Sequence, residues 1–231
     1  MTSNNSTALS IGVIGLGAMG KGMASSLRRA GHHVSVCDVR YEAAEAFAQE
    51  GGSAYKTPAE LAQATDIIVS VVVNAEQTEQ VLFGTHGAAA HMKAGSLFIM
   101  CSTVDPNWSV ALEKRLNDMG LLYLDAPISG GAAKAASGQM TMMTSGSAAA
   151  YAKAGNALES MAANVYKLGD GAGYGSKVKI INQLLAGVHI AAAAEAMALG
   201  LREGVAADAL YEVITNSAGN SWMFENRMAH V

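Results

Sequence analysis

The residues of this chain whose types and spacing suit chemistry fall in four segments. In one, Lys179 is followed three and four positions on by Asn182 and Gln183, and on a helix such positions share a face. A lysine withdrawn from water has a lowered pKa and can act as general acid or base, and a nearby amide can hold a hydroxyl or the ammonium in place. The plainer alternative is a lysine exposed near a helix start, as Lys177 is expected to be. A second segment, Gly15-Leu16-Gly17-Ala18-Met19-Gly20, leaves an apolar run and opens a helical pattern. Another apolar run then ends in Asp38, 18 residues after Gly20. In that context the glycines form a dinucleotide-binding fingerprint. Gly15 permits the tight turn, Gly17 lets the backbone approach a pyrophosphate, and Gly20 allows close helix–strand packing. The helix N-terminus offers unpaired N–H groups and a positive dipole end to the phosphates. Asp38, followed by Val39 and Arg40, is expected to accept hydrogen bonds from ribose hydroxyls, which favours NAD. Arg40 could instead pair with a 2′-phosphate, so NADP stays possible.

The third segment is Asp125-Ala126-Pro127-Ile128-Ser129-Gly130-Gly131, placed where a strand ends. In a doubly wound sheet, ligands bind outside the carboxyl ends of the strands. The Ser129 hydroxyl and the backbone at Gly130 and Gly131 suit a carboxylate; an ordinary flexible turn is the alternative. The fourth is Cys101-Ser102-Thr103 at another strand end, where Thr103 is either a cofactor- or substrate-lining hydroxyl or simply the start of a helix. No metal site is expected.

These segments need elements to hold them, and hydrophobic periodicity supplies them. Strands are expected at residues 9–15, 33–39, 66–73, 96–102, 121–125, 139–144 and 164–168. Helices are expected at 17–31, 41–50, 58–64, 75–82, 105–119 and 148–162, with 129–138 a small-residue loop. Thr57-Pro58-Ala59-Glu60 is a capping box, and Asp105-Pro106 another helix start. The run DIIVSVVV reads as a strand covered on both faces. Alternating strand and helix with short connections imply an α/β fold with a doubly wound, mostly parallel sheet. A long helix follows at 173–200, then a shorter one at 205–217, and residues 219–231 show no clear period.

The long helix would reach roughly 40 Å at 1.5 Å per residue. Its apolar part, 184–199, contains His189 and Glu195 and is short for a membrane span, so a helix buried in protein is expected. A net charge of −4 gives no basic surface for nucleic acid. Cys37 and Cys101 form no CxxC pattern and are expected as reduced core residues of a cytoplasmic protein. Residues 1–7 are polar, without a signal-peptide pattern, and are expected to fray.

Taken together, GVIGLGAMGKGMA, CSTVDP, DAPISGGAAKAASGQMTMM, GSKVKIINQLLAG and SWMFENR resemble the β-hydroxyacid dehydrogenase family in order and spacing, from residue 11 to residue 231. The resemblance implies a Rossmann-type domain at 1–172, an interdomain helix at 173–203 and the start of an all-helical domain at 204–231. It implies hydride transfer between a small hydroxy acid, similar to L-threonate or 3-hydroxyisobutyrate, and NAD or NADP. Lys179 matches the family's catalytic lysine. Ser129, Gly130 and Gly131 match its substrate-carboxylate loop, and Thr103 its cofactor- and substrate-lining threonine. Asn182 matches a Lys-x-x-Asn pattern. Many members carry the asparagine four residues after the lysine, where this chain has Gln183. Many read Leu-Pro after the third strand, lining the cofactor, where Val72 and Val73 stand.

Family members continue beyond SWMFENR with further helices, one bearing a Lys-Asp pair that closes over the site. A chain stopping at Val231 is therefore expected to be truncated or a shorter form, with apolar surface bared on 184–199 and 205–214. Three further readings stay in play: a non-catalytic dinucleotide-binding fragment, an NADP-dependent semialdehyde or glyoxylate reductase, and imine reduction, which relatives without the lysine perform. The apolar helix suits a homo-oligomer interface, and a covering domain would explain it equally.

Overall fold

In the computed structural model, which describes residues 8–229, the apolar runs of the first half become the middle of one sheet. β1 (Ser10–Ile14), β2 (His33–Cys37), β3 (Ser53–Ala54), β4 (Ile67–Ser70), β5 (Leu97–Met100) and β6 (Leu122–Asp125) pair in parallel in the order β3-β2-β1-β4-β5-β6. The sheet then continues through β8 (Met140–Gly146), antiparallel to both β6 and β7 (Ile128–Ser129), and β9 (Ala162–Lys167) runs parallel to β8. The parallel rhythm thus holds through β6 and breaks at β8, which runs opposite to both β6 and β7.

Side chains alternate across the strands and fill a core on each face. Ile11, Val13, Ile67, Val69, Leu97 and Ile99 face one layer; Ile14, Ile68, Phe98 and Met100 face the other. The first layer is closed by α1 (Gly20–Arg29), α2 (Tyr41–Gln49), α7 (Ala148–Ala154) and α8 (Ala157–Met161), through Met23, Leu27, Phe47 and Leu158. The second is closed by α3 (Pro58–Ala64), α4 (Ala75–Phe83) and α5 (Pro106–Asp118), through Leu61, Leu82, Leu112 and Leu116. Each such side chain, fully buried, contributes about 1.5–3 kcal/mol. Helix starts follow their capping residues: Thr57 Oγ1 accepts from Glu60 N at 3.2 Å, and Asp105 Oδ1 accepts from Asn107 N and Trp108 N. The Glu60 carboxylate reaches back one residue further than a capping box requires, to Lys56 N at 3.0 Å.

Several boundaries differ from the sequence expectation. The loop expected at 129–138 contains β7 and a helix, α6 (Gly131–Ser137). The single helix expected at 148–162 is two, broken at Gly155, whose φ of 54° a side chain would resist. The 219–231 stretch holds α11 (Trp222–Met228), started by Ser221 accepting from Phe224 N at 3.1 Å. Residues 1–7 lie outside the described part.

The long helix is α9 (Tyr174–Arg202), followed by α10 (Ala207–Thr215). The chain divides within α9 into two units, Met1–Lys179 and Ile180–Val231. In the second unit, Ala193 and Met197 of α9 pack with Phe224 and Met228, and the Tyr211 and Phe224 rings stack 5.9 Å apart. That small core leaves most of α9 bare, with Leu184 69% exposed and Leu185, Val188 and Leu199 exposed as well. The expected burial is therefore not met among the described residues. By length and composition α9 is also long and apolar enough to cross a membrane, with 11% of its most apolar window buried. The helix extends past both ends of 184–199, so shortness does not argue against a span. Its start is seated by hydrogen bonds in the α/β unit.

Candidate active site

The glycine fingerprint follows β1 directly, and two of its glycines are required by the fold. Gly15 has φ 94°, and a Cβ there would lie 2.6 Å from the Val71 carbonyl oxygen. A Cβ on Gly20, the first residue of α1, would collide with the carbonyl of Gly15. Gly17 is different: a Cβ there meets no atom within 4 Å. The space it faces is a cleft of about 790 Å³, bounded by Gly15, Gly17, Asp38, Val39, Arg40, Val72 and Val73. Leu16 is buried and Met19 packs on the core, so within the loop they serve through backbone and packing; Ala18 lies between them.

Asp38 closes the loop from the end of β2. Its Oδ2 accepts from Leu16 N at 2.6 Å and its Oδ1 from Arg40 N at 2.9 Å, with the Arg40 Nε 3.7 Å away. The carboxylate is thereby aimed at the mouth of the turn, and the guanidinium is drawn onto it. An open seat beside Gly17, a helix N-terminus and a fixed carboxylate fit the pyrophosphate and ribose of a dinucleotide. β1 and β4 are neighbours from which the chain order runs outward both ways, and such a switch point is where doubly wound sheets bind ligands.

The cleft has further walls that sequence reasoning missed: Lys56, Asn74, Gln77, Gln80 and His86. They belong to the stretches after β3 and β4, and the rule that ligands sit beyond strand ends could have found them. The Val72-Val73 segment is held in place, since Ser102 Oγ donates to Val72 O at 2.8 Å and Val73 N donates to Gln77 Oε1 at 2.9 Å.

Thr103, Ser129, Gly130, Gly131 and Lys179 are not part of that cleft's lining. Thr103 is exposed just past β5, and Ser129 ends β7 opposite Thr141. Gly130 and Gly131 have φ of 138° and 78°, a backbone path that only glycine follows without strain. From there α6 runs into α1: Ser26 Oγ donates to Ala135 O at 3.0 Å, and Arg29 donates to Ala136 O at 2.6 Å. Lys179 is 7% exposed, and burial holds its pKa below the ordinary lysine value. Asn182 is half-buried and Gln183 exposed; both belong to the second unit.

One buried carboxylate was not singled out by its residue type. Asp125, at the end of β6, is fully buried and accepts from Gly173 N at 2.9 Å, Ser176 N at 2.9 Å, Ser176 Oγ at 2.7 Å and Ser145 Oγ at 3.4 Å. Burial raises its pKa, against the pull of those donors. Both thiols are buried, with Cys37 pushed up to about 11 and Cys101 to about 12, chiefly by desolvation, so neither is a nucleophile at neutral pH. Among the described residues, no group of three or more His, Cys, Asp or Glu side chains is placed to hold a metal ion.

Residues 10–169 match the family model of the NAD binding domain of 6-phosphogluconate dehydrogenase, and residues 173–231 match that of the NAD-binding part of NADP-dependent 3-hydroxyisobutyrate dehydrogenase. The L-threonate dehydrogenase of Cupriavidus necator is 64% identical over 221 residues, covering 96% of this chain and 74% of that protein. The L-threonate dehydrogenase of Escherichia coli K12 is 47% identical over the same shares. A crystal structure of a 3-hydroxyisobutyrate dehydrogenase from Salmonella typhimurium superposes with a TM-score of 0.91 at 49% identity, covering 95% of this chain and 77% of that one. Likeness of this extent, along both matched segments, makes the chain a member of the β-hydroxyacid dehydrogenase (3-hydroxyisobutyrate dehydrogenase-like) family of NAD-dependent hydroxy acid oxidoreductases.

Proposed function

We propose that the protein oxidises L-threonate, or a hydroxy acid of similar size, and that Lys179 takes the hydroxyl proton. The observation that carries this reading is a lysine 7% exposed on the first turns of α9, its pKa lowered by burial. A lysine so placed holds more of the neutral amine near neutral pH, which is the form that accepts a proton. NAD, when bound, supplies the hydride acceptor. Ser129 and the backbone at Gly130 and Gly131 hold the substrate carboxylate, and Thr103 lines the cofactor and substrate. Asn182 or Gln183, one turn beyond Lys179 along α9, orients the hydroxyl. Asp38, paired with Arg40, supports NAD over NADP, because a 2′-phosphate would meet a carboxylate.

The same reading assigns residues 1–172 to dinucleotide binding, 173–203 to an interdomain helix and 204–231 to the start of a helical domain. L-threonate is supported by the relative that is 64% identical, and it puts the protein in carbohydrate metabolism. Two free buried thiols fit the cytoplasm. The exposed apolar residues of α9 fit a homo-oligomer.

The test assays L-threonate, 3-hydroxyisobutyrate and L-serine with NAD and with NADP, then repeats the best pair with Lys179→Ala. The variant is expected to lose about 10²–10⁴ in kcat, the usual worth of acid–base catalysis, while NADH binding followed by fluorescence stays as in the parent. Parental turnover by the variant removes Lys179 from the chemistry. NADH binding with no turnover of any acid favours a non-catalytic dinucleotide-binding protein.

A further inference from the structure

The first N–H groups of a helix have no partner within it. At the start of α9 the N–H groups of Gly173, Gly175 and Ser176 are met by two residues of the sheet. Asp125 takes Gly173 N and Ser176 N, and Ser145 Oγ takes Gly175 N at 3.0 Å. Asp125 and Ser145 are themselves a cross-strand pair of β6 and β8. The seat is close: a Cβ on Gly175 would collide with the Met143 carbonyl and lie 3.0 Å from the Asp125 carbonyl oxygen. Ser176 is fully buried, and its hydroxyl adds a second tie to Asp125 at 2.7 Å.

Lys179 follows Ser176 by three residues, so the two share a face of α9. On the other side, Asp125 is four residues before Ser129, and the intervening Ala126 and Ile128 are buried in the core. One carboxylate therefore stands between the lysine's helix and the glycine loop. We propose that Asp125, through its bonds to Gly173, Ser176 and Ser145, is the positioning residue that sets Lys179 at a fixed distance from the Ser129-Gly130-Gly131 loop. The inference rests on the reading of Lys179 as the proton acceptor. Asp125 is fully buried, and in this role it acts through where it holds the lysine. Charge-assisted bonds are about twice as strong as neutral ones, and misplacing a catalytic group by about 1 Å can cost on the order of a hundredfold in rate.

The experiment compares Asp125→Ala, Asp125→Asn and Ser176→Ala in the purified protein, each alone and on the Lys179→Ala background. Asp125→Ala is expected to lower kcat about ten- to a hundredfold, with KM for the hydroxy acid and NADH affinity near parental values. Asp125→Asn keeps an acceptor oxygen for the two backbone N–H groups and is expected to recover part of that loss. Ser176→Ala removes one tie and carries the test if Asp125→Ala does not fold. On the Lys179→Ala background none of the three is expected to reduce the rate further, because their effect passes through the lysine. Losses of equal size on both backgrounds, or parental kcat in Asp125→Asn and Ser176→Ala together, overturn the positioning role. Parental turnover by Lys179→Ala alone overturns instead the reading beneath it, so the two failures are told apart.

Discussion

Gly17 separates what the fold requires from what a ligand requires. It is not one of the positive-φ glycines, and a side chain there would meet open space. Gly17→Val is therefore expected to leave Tm unchanged while raising the Kd for NADH about tenfold or more, a loss of at least about 1.4 kcal/mol, because the side chain would fill the place proposed for the pyrophosphate. Gly20→Ala is the control and is expected to lower Tm, since its Cβ has no room beside the Gly15 carbonyl. Thermal melts and a fluorescence titration of both variants check the pair; an unstable Gly17→Val that binds NADH normally refutes it. The fingerprint was legible in sequence because the turn, its glycines and Asp38 are near neighbours in the chain. The contact between Asp125 and Ser176 was not, because the two residues are 51 apart and no spacing rule joins them. Asp125 stood at the head of a motif selected for its serine and glycines.

At the scale of elements, the central strands and the helices of the first half follow from period and caps, and the misses share a cause. β3 and β7 have two residues each, too few to show alternation. α6 is Gly-Ala-Ala-Lys-Ala-Ala-Ser, a helix whose small side chains leave no apolar stripe to count. Its purpose lies in what small residues permit, a close approach to α1. A Cβ on Gly22 would lie 2.6 Å from Ala136 N and 2.8 Å from Ala135 C. α1 opens at the dinucleotide loop and α6 opens at the Gly130-Gly131 turn, so this contact links that loop to the turn proposed to hold the substrate carboxylate. Gly22→Val is expected to cost about 1–3 kcal/mol, as overpacking does, and to push α6 away. The kinetic signature is a raised KM for the hydroxy acid with NADH affinity kept. A fall in NADH affinity with unchanged KM would show that α1, not α6, gives way.

At the scale of the molecule, the sequence shows that α9, beyond the polar cluster of Lys179, Asn182 and Gln183, is apolar almost all the way round. It could not say what covers the helix, because periodicity reports only how many faces are apolar. The first unit is more self-contained, and one histidine ties its start to its end. His32 is 5% exposed; its Nδ1 accepts from Leu9 N at 3.3 Å, and its Nε2 lies 3.1 Å from Ser160 Oγ. Ser160 Oγ donates to Asn156 O at 2.8 Å, so the neutral ring with its proton on Nε2 satisfies every partner. Protonating Nδ1 would break the bond to Leu9. Burial, with His33 nearby, lowers the His32 pKa below 6.5. The unfolded chain therefore binds a proton near pH 6.5 that the folded protein refuses. Stability from this group is fully present above that pH and declines as pH falls from 6.5 toward the folded value. A single proton limits the slope to about 1.4 kcal/mol per pH unit. In urea melts between pH 5 and 8, His32→Gln is expected to be less stable than the parent at pH 8 and to lack this one-proton share of the acid decline. An acid slope that stays parental in the variant would place the titrating group elsewhere.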